Sequence, residues 1–207
     1  MEFPDIEALC IKIGAKHTRL KRDGSGRPLY TLPVIHDPRH GVIADSAVIA
    51  EYLDSAYPTH VLFPNGTKAL HLAFESSLVA NISGVWPVAV LANYSVLNPR
   101  SQEFYRRTRE VENGKKLEEL APPGPVREKF WNELKGGLEV IDGWLNKEDG
   151  YVMGETISYA DFVVAARFIW MRTVFGEQSS EWKDLATWNG GRWGRLLKSL
   201  EQYTTVV

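Results

Sequence analysis

A short strand, a turn, a second strand and a helix follow one another between residues 32 and 58, and this unit limits the fold more than any other part of the chain. Apolar residues 32–35 and 42–44 flank the sequence DPRHG, a pattern typical of a β-hairpin. Asp45 and Ser46 are good N-cap residues, and the apolar positions after them have helical spacing until Pro58. The sequence therefore predicts a hairpin that leads directly into a helix.

The chain changes character after the PNG sequence at residues 64–66, because only helix-length periodic segments follow, separated by Gly and Pro. We place a boundary near residues 59–67, with a first domain over residues 1–59 and an all-helical domain over residues 66–207. The predicted fold class is α+β, mostly α. The candidate helices of the second domain cover residues 68–93, 101–120, 126–146, 158–175 and 191–202.

The first 28 residues are predicted to hold one short helix and a loop. Residues 3–14 carry apolar side chains at helical spacing and end at Gly14. Residues 15–28 are basic, contain glycine and show no period, which predicts an exposed and mobile loop without a strand.

Charge and composition exclude several function classes. The formal net charge is -2 and shows no basic stripe, which argues against a nucleic-acid partner. The single cysteine, Cys10, has no disulfide partner within the chain, and the start MEFPDIEA does not resemble a signal peptide, so we expect a reducing, cytoplasmic setting. The longest apolar stretch, residues 78–92, contains Asn81 and Pro87 and is shorter than the ~20 residues that span a bilayer, so no membrane partner is expected.

The predicted hairpin and helix together form a candidate site for a small acidic peptide. A proline at the head of a strand, Pro33, lacks an N–H for a ladder bond and is typical of an edge or a special turn, often with a cis bond. The backbone at Val34 is then available to an extended peptide. The free N–H groups and the positive dipole end of the helix at Asp45 and Ser46 attract a carboxylate. The alternative is an ordinary edge-strand proline and an ordinary helix cap.

These residues resemble those of the glutathione transferase superfamily. The segments FPDIEALCIKIGA, PLYTLPVIHDP and DSAVIAEYLDSAYP are most similar to fungal FuA-type and related fungal transferases, some of which tailor secondary metabolites. The resemblance implies a partial thioredoxin-like N-terminal domain, a helical C-terminal bundle, glutathione as co-substrate and a homodimer. It also implies that glutathione binds at these positions: Leu32, Pro33, Val34, Asp45 and Ser46.

A second match lies about a hundred positions downstream, in the sequence GETISYADF at residues 154–162. It is similar to a capping box of the family's helical domain. Ser158 and Asp161 are predicted to cap each other's backbone donors and to serve folding alone.

The resemblance also predicts a departure from the family. Relatives begin with strand, helix and strand, and the catalytic Tyr, Ser or Cys follows the first strand. Such a unit takes roughly 30 or more residues, and the 29 residues before Tyr30 show no strand pattern. We therefore expect this β-α-β unit to be missing, either by truncation or in a protein that works without the usual hydroxyl donor. No catalytic residue is assigned.

Polar residues on the first long helix of the second domain are candidates for a substrate pocket, because in the resembled fold this helix faces the glutathione sulfur. The candidates are Asn81, Trp86 and Tyr94. The alternative is that the two aromatic residues belong to the core or to an interface. No metal site is predicted, since the five histidines show no i, i+4 pair and no acidic partner at ligand spacing.

Two other features have ordinary structural explanations. Arg106 with Glu110, and Arg109 with Glu112, are predicted to form ion pairs along a solvated helix face. Cys10 is expected to be a small buried thiol rather than a redox nucleophile.

Two functions follow from these expectations. The first is an enzyme that adds the glutathione thiolate to an electrophilic, largely apolar small molecule, either as a conjugating transferase or as an isomerase of an olefin. The second is a non-catalytic protein that binds glutathione or another ligand.

Overall fold

The computed structural model describes residues 1–204. The N-terminal part of the chain has short elements. A 3-10 turn at Phe3–Asp5 is followed by α1 (Ile6–Ile13), β1 (Arg19–Leu20), β2 (Pro28–Leu29), β3 (Val34–Asp37), β4 (Gly41–Ala44) and α2 (Ser46–Ala56).

The remaining elements are helices. They are α3 (Lys68–Asn81), α4 (Val85–Ser95), α5 (Pro99–Asn113), α6 (Leu117–Leu120), α7 (Pro125–Asp142), α8 (Tyr159–Phe175) and α9 (Ser180–Ser199), with 3-10 turns at Pro64–Gly66 and Glu201–Tyr203. None of the helices in residues 1–204 is long and apolar enough to cross a bilayer alone; the bent pair α3 and α4 meets that test only by combined length and composition.

The predicted hairpin and its helix are confirmed. Strands β3 and β4 pair antiparallel with Val34 opposite Ala44 and Asp37 opposite Gly41, and α2 begins two residues after the hairpin's last pair. Gly41 closes the turn at φ 78°, a conformation that glycine adopts without a Cβ penalty.

The prediction that residues 15–28 contain no strand is wrong. Arg19 pairs with Leu29 and Leu20 with Pro28 in a second small antiparallel sheet, β1 and β2. Its turn is held by Asp23, whose Oδ1 accepts the Ser25 N–H at 2.9 Å. A strand of two residues is too short to show an alternating pattern, so the sequence carries no periodic signal for it.

The predicted long helix over residues 68–93 is two helices, α3 and α4, which meet at a bend of 82°. The chain between them packs closely on α7. A Cβ on Gly84 would lie 2.6 Å from the Phe130 carbonyl oxygen, so only glycine allows this approach. The helical spacing of apolar residues continues through the bend, which is why the pattern did not reveal it.

Two more helix predictions need correction. The segment predicted over residues 101–120 divides at Gly114, which has φ 65° and ends α5 before α6 begins. The last helix begins at Ser180 with a cap from Ser179 rather than at residue 191, and residues 188–191 interrupt its helical geometry. Gly190 and Gly191 there hid the first half of the helix from the sequence pattern.

The described residues form two compact units. Unit 1 contains residues 1–61 and 94–119, and unit 2 contains residues 62–93 and the rest of the chain from residue 120. The division predicted from sequence, residues 1–59 and 66–207, stays a prediction, and residues 205–207 lie outside the described part.

Unit 1 joins the N-terminal segment to α5. The Phe3 N–H donates to the Ser101 hydroxyl at 2.9 Å, and the Phe3 ring meets that of Tyr105 edge to face at 6.0 Å between centroids. Arg100 donates two hydrogen bonds to the Asp5 carboxylate, at 2.6 and 2.8 Å. The start of the chain is thereby bound to a helix almost 100 positions later.

Unit 2 has a dense apolar core in which α3 packs on α7 and α8, and α8 packs on α9. A Cβ on Gly137 would lie 1.8 Å from the Asn81 carbonyl oxygen, so α7 and the end of α3 are in backbone contact. The fully buried side chains include Leu78, Leu134, Leu138, Ile141, Phe168, Met171, Leu185 and Trp193.

A polar cluster at the β3–β4 turn joins Asp37, His40 and Tyr52. The Asp37 Oδ1 accepts the backbone N–H groups of Arg39 and His40 at 2.6 and 3.0 Å, and the His40 Nδ1 lies 3.2 Å from the same oxygen. Hydrogen bonds hold the pKa of Asp37 well below its usual range. The largest effect comes from the Tyr52 hydroxyl and the next largest from the Arg39 N–H. The Asp37 carboxylate raises the pKa of Tyr52 in return.

Replacing Tyr52 by phenylalanine is expected to raise the pKa of Asp37 toward the ordinary value of about 3.9, because the strongest donor to the carboxylate is removed. A lowered carboxyl pKa stabilises the fold above the unfolded value, and this contribution is lost as the pH falls. Carbon-13 NMR titration of the Asp37 carboxyl measures the change, with Tyr57→Phe as a control on an exposed tyrosine. An unchanged Asp37 titration in Tyr52→Phe would contradict the assignment.

Candidate glutathione site

The hairpin register brings the two parts of the predicted site together. Val34 lies opposite Ala44, so the residue before β3, Pro33, and the residue after β4, Asp45, flank the same pair. The Leu32–Pro33 peptide bond is cis. Leu32, Pro33, Asp45 and Ser46 therefore lie at one end of the hairpin, together with Val34.

Asp45 caps α2 in an unusual backbone conformation. Its Oδ1 accepts the Ala47 N–H at 3.0 Å and the Val48 N–H at 3.3 Å. Its φ is 82°, in a region that costs a non-glycine residue about 1–3 kcal/mol and that clusters at functional sites. The Asp45 Oδ1 thus accepts the hydrogen bonds from the helix start, and these bonds fix the orientation of the second carboxylate oxygen, Oδ2.

Ser46 is the first residue of α2, and its side chain is exposed. Within residues 1–204 its hydroxyl has no hydrogen-bond partner. The N-terminus of an 11-residue helix carries partial positive charge, and Asp45 already accepts the Ala47 and Val48 N–H groups, which leaves the Ser46 N–H for a ligand. Ser46 therefore offers a hydroxyl and a helix start to an anion.

This geometry suits a ligand that carries an ammonium group and a carboxylate close together. The Asp45 carboxylate attracts the ammonium group, and the helix start at Ser46 attracts the carboxylate.

The three residues predicted for a substrate pocket do not form one cluster within either unit. Asn81 ends α3, and its Nδ2 donates to the Ser77 carbonyl at 2.9 Å. Trp86 is the second residue of α4, just after the bend, and is 45% exposed. Tyr94 is at the other end of α4 and belongs to unit 1, whereas Asn81 and Trp86 belong to unit 2.

Trp86 has an aromatic partner on α8. The Trp170 ring of α8 lies 5.1 Å from the Trp86 ring, between centroids, at an interplanar angle of 42°. The two indoles form a partly exposed aromatic surface on unit 2.

Tyr94 lies under a cation. The Arg106 guanidinium is 4.5 Å from the centre of the Tyr94 ring and donates to Glu110 at 2.9 Å and to Glu118 at 2.8 Å. Arg106 lowers the pKa of Glu118 to about 2. The predicted ion pairs of Arg106 with Glu110 and of Arg109 with Glu112 are present. Tyr94 is thus part of a packed ionic network at its end of α4.

The capping residues Ser158 and Asp161 are both fully buried at the start of α8. The Asp161 Oδ2 accepts the Ser158 N–H and hydroxyl, both at 2.9 Å, and Oδ1 accepts the Val152 N–H at 2.7 Å. Burial raises the pKa of Asp161, although the donors from Val152 and Ser158 oppose the shift. The carboxylate ties the loop before α8 to the helix start.

Other reactive side chains do not extend the site. Cys10 is buried in α1. His40 lies 3.2 Å from the carboxylate of Asp37, three positions earlier. The prediction that no histidine has an acidic partner at ligand spacing is therefore wrong for His40. In the part of the chain that the structure describes, no group of three or more His, Cys, Asp or Glu side chains is arranged to hold a metal ion.

Family models match both halves of the chain. The model of the glutathione S-transferase C-terminal domain matches residues 69–203, and the model of the glutathione S-transferase N-terminal domain matches residues 13–56.

Solved structures and a curated protein are also similar. The glutathione S-transferase CsGST83044 of Ceriporiopsis subvermispora, solved in complex with glutathione, is 41% identical with a TM-score of 0.91, over 98% of this chain and 83% of that one. Glutathione transferase GSTFuA3 from Phanerochaete chrysosporium is 40% identical with a TM-score of 0.91, over 100% of this chain and 83% of that one. The glutathione S-transferase-like protein ustS of Aspergillus flavus is 29% identical over 97% of this chain and 75% of its own. These matches confirm the predicted fold class, α+β and mostly α, with a thioredoxin-like N-terminal part and a helical C-terminal part.

Proposed function

Because this chain belongs to the glutathione S-transferase family, we propose that it binds glutathione and brings the thiolate to an electrophilic, largely apolar small molecule. The observation that carries the proposal is the register of β3 and β4, which places Pro33 and Val34 beside the Asp45–Ser46 helix start. The similar CsGST83044 was solved with glutathione, which supports the choice of ligand.

Each residue of the site has one role in this proposal. Asp45 binds the ammonium group of the γ-glutamyl part with the carboxylate oxygen that does not cap α2. The Ser46 hydroxyl and the Ser46 N–H, at the positive end of the α2 dipole, bind the neighbouring carboxylate. The backbone of Leu32, Pro33 and Val34 pairs with the cysteinyl part, as an added strand does.

The chemistry follows from the thiol. Its S–H bond breaks, the proton leaves to a base or to solvent, and the thiolate forms a C–S bond with the β-carbon of an activated double bond. The resulting carbanion takes a proton to give the conjugate. If the C–S bond breaks again after rotation about the former double bond, the product is the isomerised olefin. The proposal assigns no residue to the removal of the thiol proton.

The second substrate is expected to be apolar. Trp86, with Trp170 beside it, offers an aromatic surface, and Asn81 and Tyr94 remain proposed contributors to the pocket. The division into a glutathione-binding domain and a helical domain, a homodimeric state, a cytoplasmic location and a role in fungal secondary metabolism belong to the same proposal.

The alternative is a protein of the same fold that binds glutathione without turnover. It is favoured by the composition of the site, because each of the five proposed residues holds the ligand and none is placed as a base for the thiol. The two candidates share the binding step and differ only in catalysis.

Calorimetry with glutathione, followed by steady-state assays with glutathione and a reactive model electrophile, tests both candidates. We expect saturable 1:1 binding and a rate above the uncatalysed reaction. Binding without a rate above background leaves only the non-catalytic candidate. A chain that releases no heat with glutathione and causes no rate acceleration would exclude both.

A further inference from the structure

The segment between β2 and β3 carries two of the proposed glutathione contacts, Leu32 and Pro33. Both residues are exposed and lie outside any helix or strand. Among residues 1–204, one hydrogen bond involves Thr31 or Leu32: the hydroxyl oxygens of Thr31 and Thr18 lie 2.8 Å apart. A single polar contact therefore holds the chain just before the proposed contacts with the ligand.

Thr18 itself is held by the hairpin of β1 and β2. Its backbone N–H donates to the Leu29 carbonyl oxygen at 3.1 Å, directly beside the paired residues of the two strands. The hairpin is also bound to α1, because Lys21 Nζ donates to Glu7 Oε2 at 2.7 Å. The Thr18 hydroxyl is thus a fixed partner for the Thr31 hydroxyl.

The bond between the two threonines is partly buried, which limits competition from water. A ring contact next to it acts in the same direction, since His17 meets Tyr30 edge to face at 6.3 Å between centroids. A loop that is ordered before its ligand arrives binds more tightly, because the entropy cost of ordering is not added to the binding step. The affinity of the site should therefore depend on this bond.

We propose that Thr18 is a positioning residue of the glutathione site. Its hydroxyl holds Thr31, and Thr31 keeps the backbone of Leu32 and Pro33 in the conformation that pairs with the cysteinyl part of the ligand. This inference rests on the proposed glutathione function. It gives the β1–β2 hairpin a role in binding, although none of its residues is proposed to contact the ligand.

Valine substitutions test the bond, since valine has nearly the shape of threonine but no hydroxyl. Calorimetry with glutathione is expected to show a dissociation constant about two- to twelve-fold higher in Thr18→Val and in Thr31→Val, the ratio that one net hydrogen bond provides. Because both substitutions remove the same bond, the double variant should bind about as tightly as either single variant. Thr18→Ser keeps the hydroxyl and should restore the wild-type affinity.

A threonine elsewhere in unit 1 is the matched control. The Thr108 hydroxyl on α5 is also partly buried and donates to the Phe104 carbonyl oxygen at 2.9 Å. Thr108→Val is expected to keep the wild-type affinity for glutathione. Thermal unfolding of every variant identifies a temperature at which all of them are folded, and calorimetry is done there. A purely structural role of Thr18 would lower Tm without changing the affinity of the folded chain.

The role of Thr18 is overturned if the wild type binds glutathione and the valine variants bind it equally well, if Thr18→Ser does not restore the affinity, or if the losses in the two valine variants add. Should one valine variant fail to fold, the other removes the same bond and decides the question. A wild-type chain that does not bind glutathione overturns the proposed function, and the role of Thr18 with it. Calorimetry of the wild type therefore distinguishes the two failures.

Discussion

Glutathione is expected to bind Asp45→Asn about 10- to 150-fold more weakly than the wild-type chain. The substitution removes the negative charge proposed to hold the ligand's ammonium group, and a hydrogen bond to a charged group contributes about 1.5–3 kcal/mol. Asparagine caps helices about as well as aspartate, so the side-chain bonds to Ala47 and Val48 persist and the free energy of unfolding changes little. Calorimetry measures the affinity, and chemical denaturation measures the stability.

Serine substitutions in α2 provide the control. Ser46→Ala removes a hydroxyl at the proposed carboxylate site and is expected to weaken glutathione binding, whereas Ser55→Ala removes an exposed hydroxyl from the last turns of the same helix. Wild-type affinity in Ser55→Ala combined with reduced affinity in Ser46→Ala places the ligand at the helix start. If Asp45→Asn binds glutathione within a factor of two of the wild type, the proposed role of Asp45 is wrong.

Replacing Asp161 by alanine is expected to lower the free energy of unfolding by about 3–5 kcal/mol. The carboxylate is fully buried and accepts hydrogen bonds from the Val152 N–H and from the N–H and hydroxyl of Ser158. Its removal leaves these buried donors unpaired, at about 1–3 kcal/mol for each one that finds no water. A chain of this size loses about 2–4 °C of Tm for each kcal/mol, so thermal unfolding should show a decrease of roughly 6–20 °C.

An exposed aspartate is the matched control for Asp161. Asp184 accepts a hydrogen bond from Trp131 Nε1 at 3.0 Å at the surface, and Asp184→Ala is expected to change stability by about 1 kcal/mol or less. Equal Tm values for Asp161→Ala and the wild type would show that the buried carboxylate does not stabilise the start of α8.

The pH dependence of the Asp161 effect has a definite sign. Burial raises the pKa of Asp161 in the folded chain above the unfolded value of about 3.9. The folded state then holds the proton more tightly, so the contribution of Asp161 is largest at low pH and falls as the pH rises from about 4 through the raised value. The free energy of unfolding of the wild type should therefore exceed that of Asp161→Asn by less as the pH rises. Chemical denaturation of both chains at several pH values measures this difference.

Local signals in the sequence were enough for the site region. The turn DPRHG, the N-cap pair Asp45–Ser46 and the stop at Pro58 each act within a few residues, and they correctly predict β4 and α2, whereas β3 lies two residues later than the predicted strand over residues 32–35. The same holds for Ser158 and Asp161, whose spacing of three is that of a capping box.

Close backbone approaches were beyond the reach of the sequence pattern. The sequence pattern did not reveal the bend at Gly84 between α3 and α4. Glycine is required there because the Phe130 carbonyl oxygen, almost 50 positions later in the chain, lies too close for a Cβ atom. The β1–β2 pair was missed because strands of two residues have no period. The pairing of α5 with the first residues of the chain likewise depends on Ser101, Arg100 and Tyr105, none of which has a local signature for that contact.

Residues close together in the chain specify the hairpin, the helix capped by Asp45, the capping box at Ser158, and with them the family resemblance. The bend between α3 and α4, the unit to which Tyr94 belongs, and the burial of the His71 Nε2 without a partner among the described residues depend on contacts between distant parts of the chain. The difference lies in the range of the interactions. Caps, turns and periodic faces are energies between neighbours along the chain, whereas close packing and the pairing of buried polar atoms depend on residues that only the folded chain brings together.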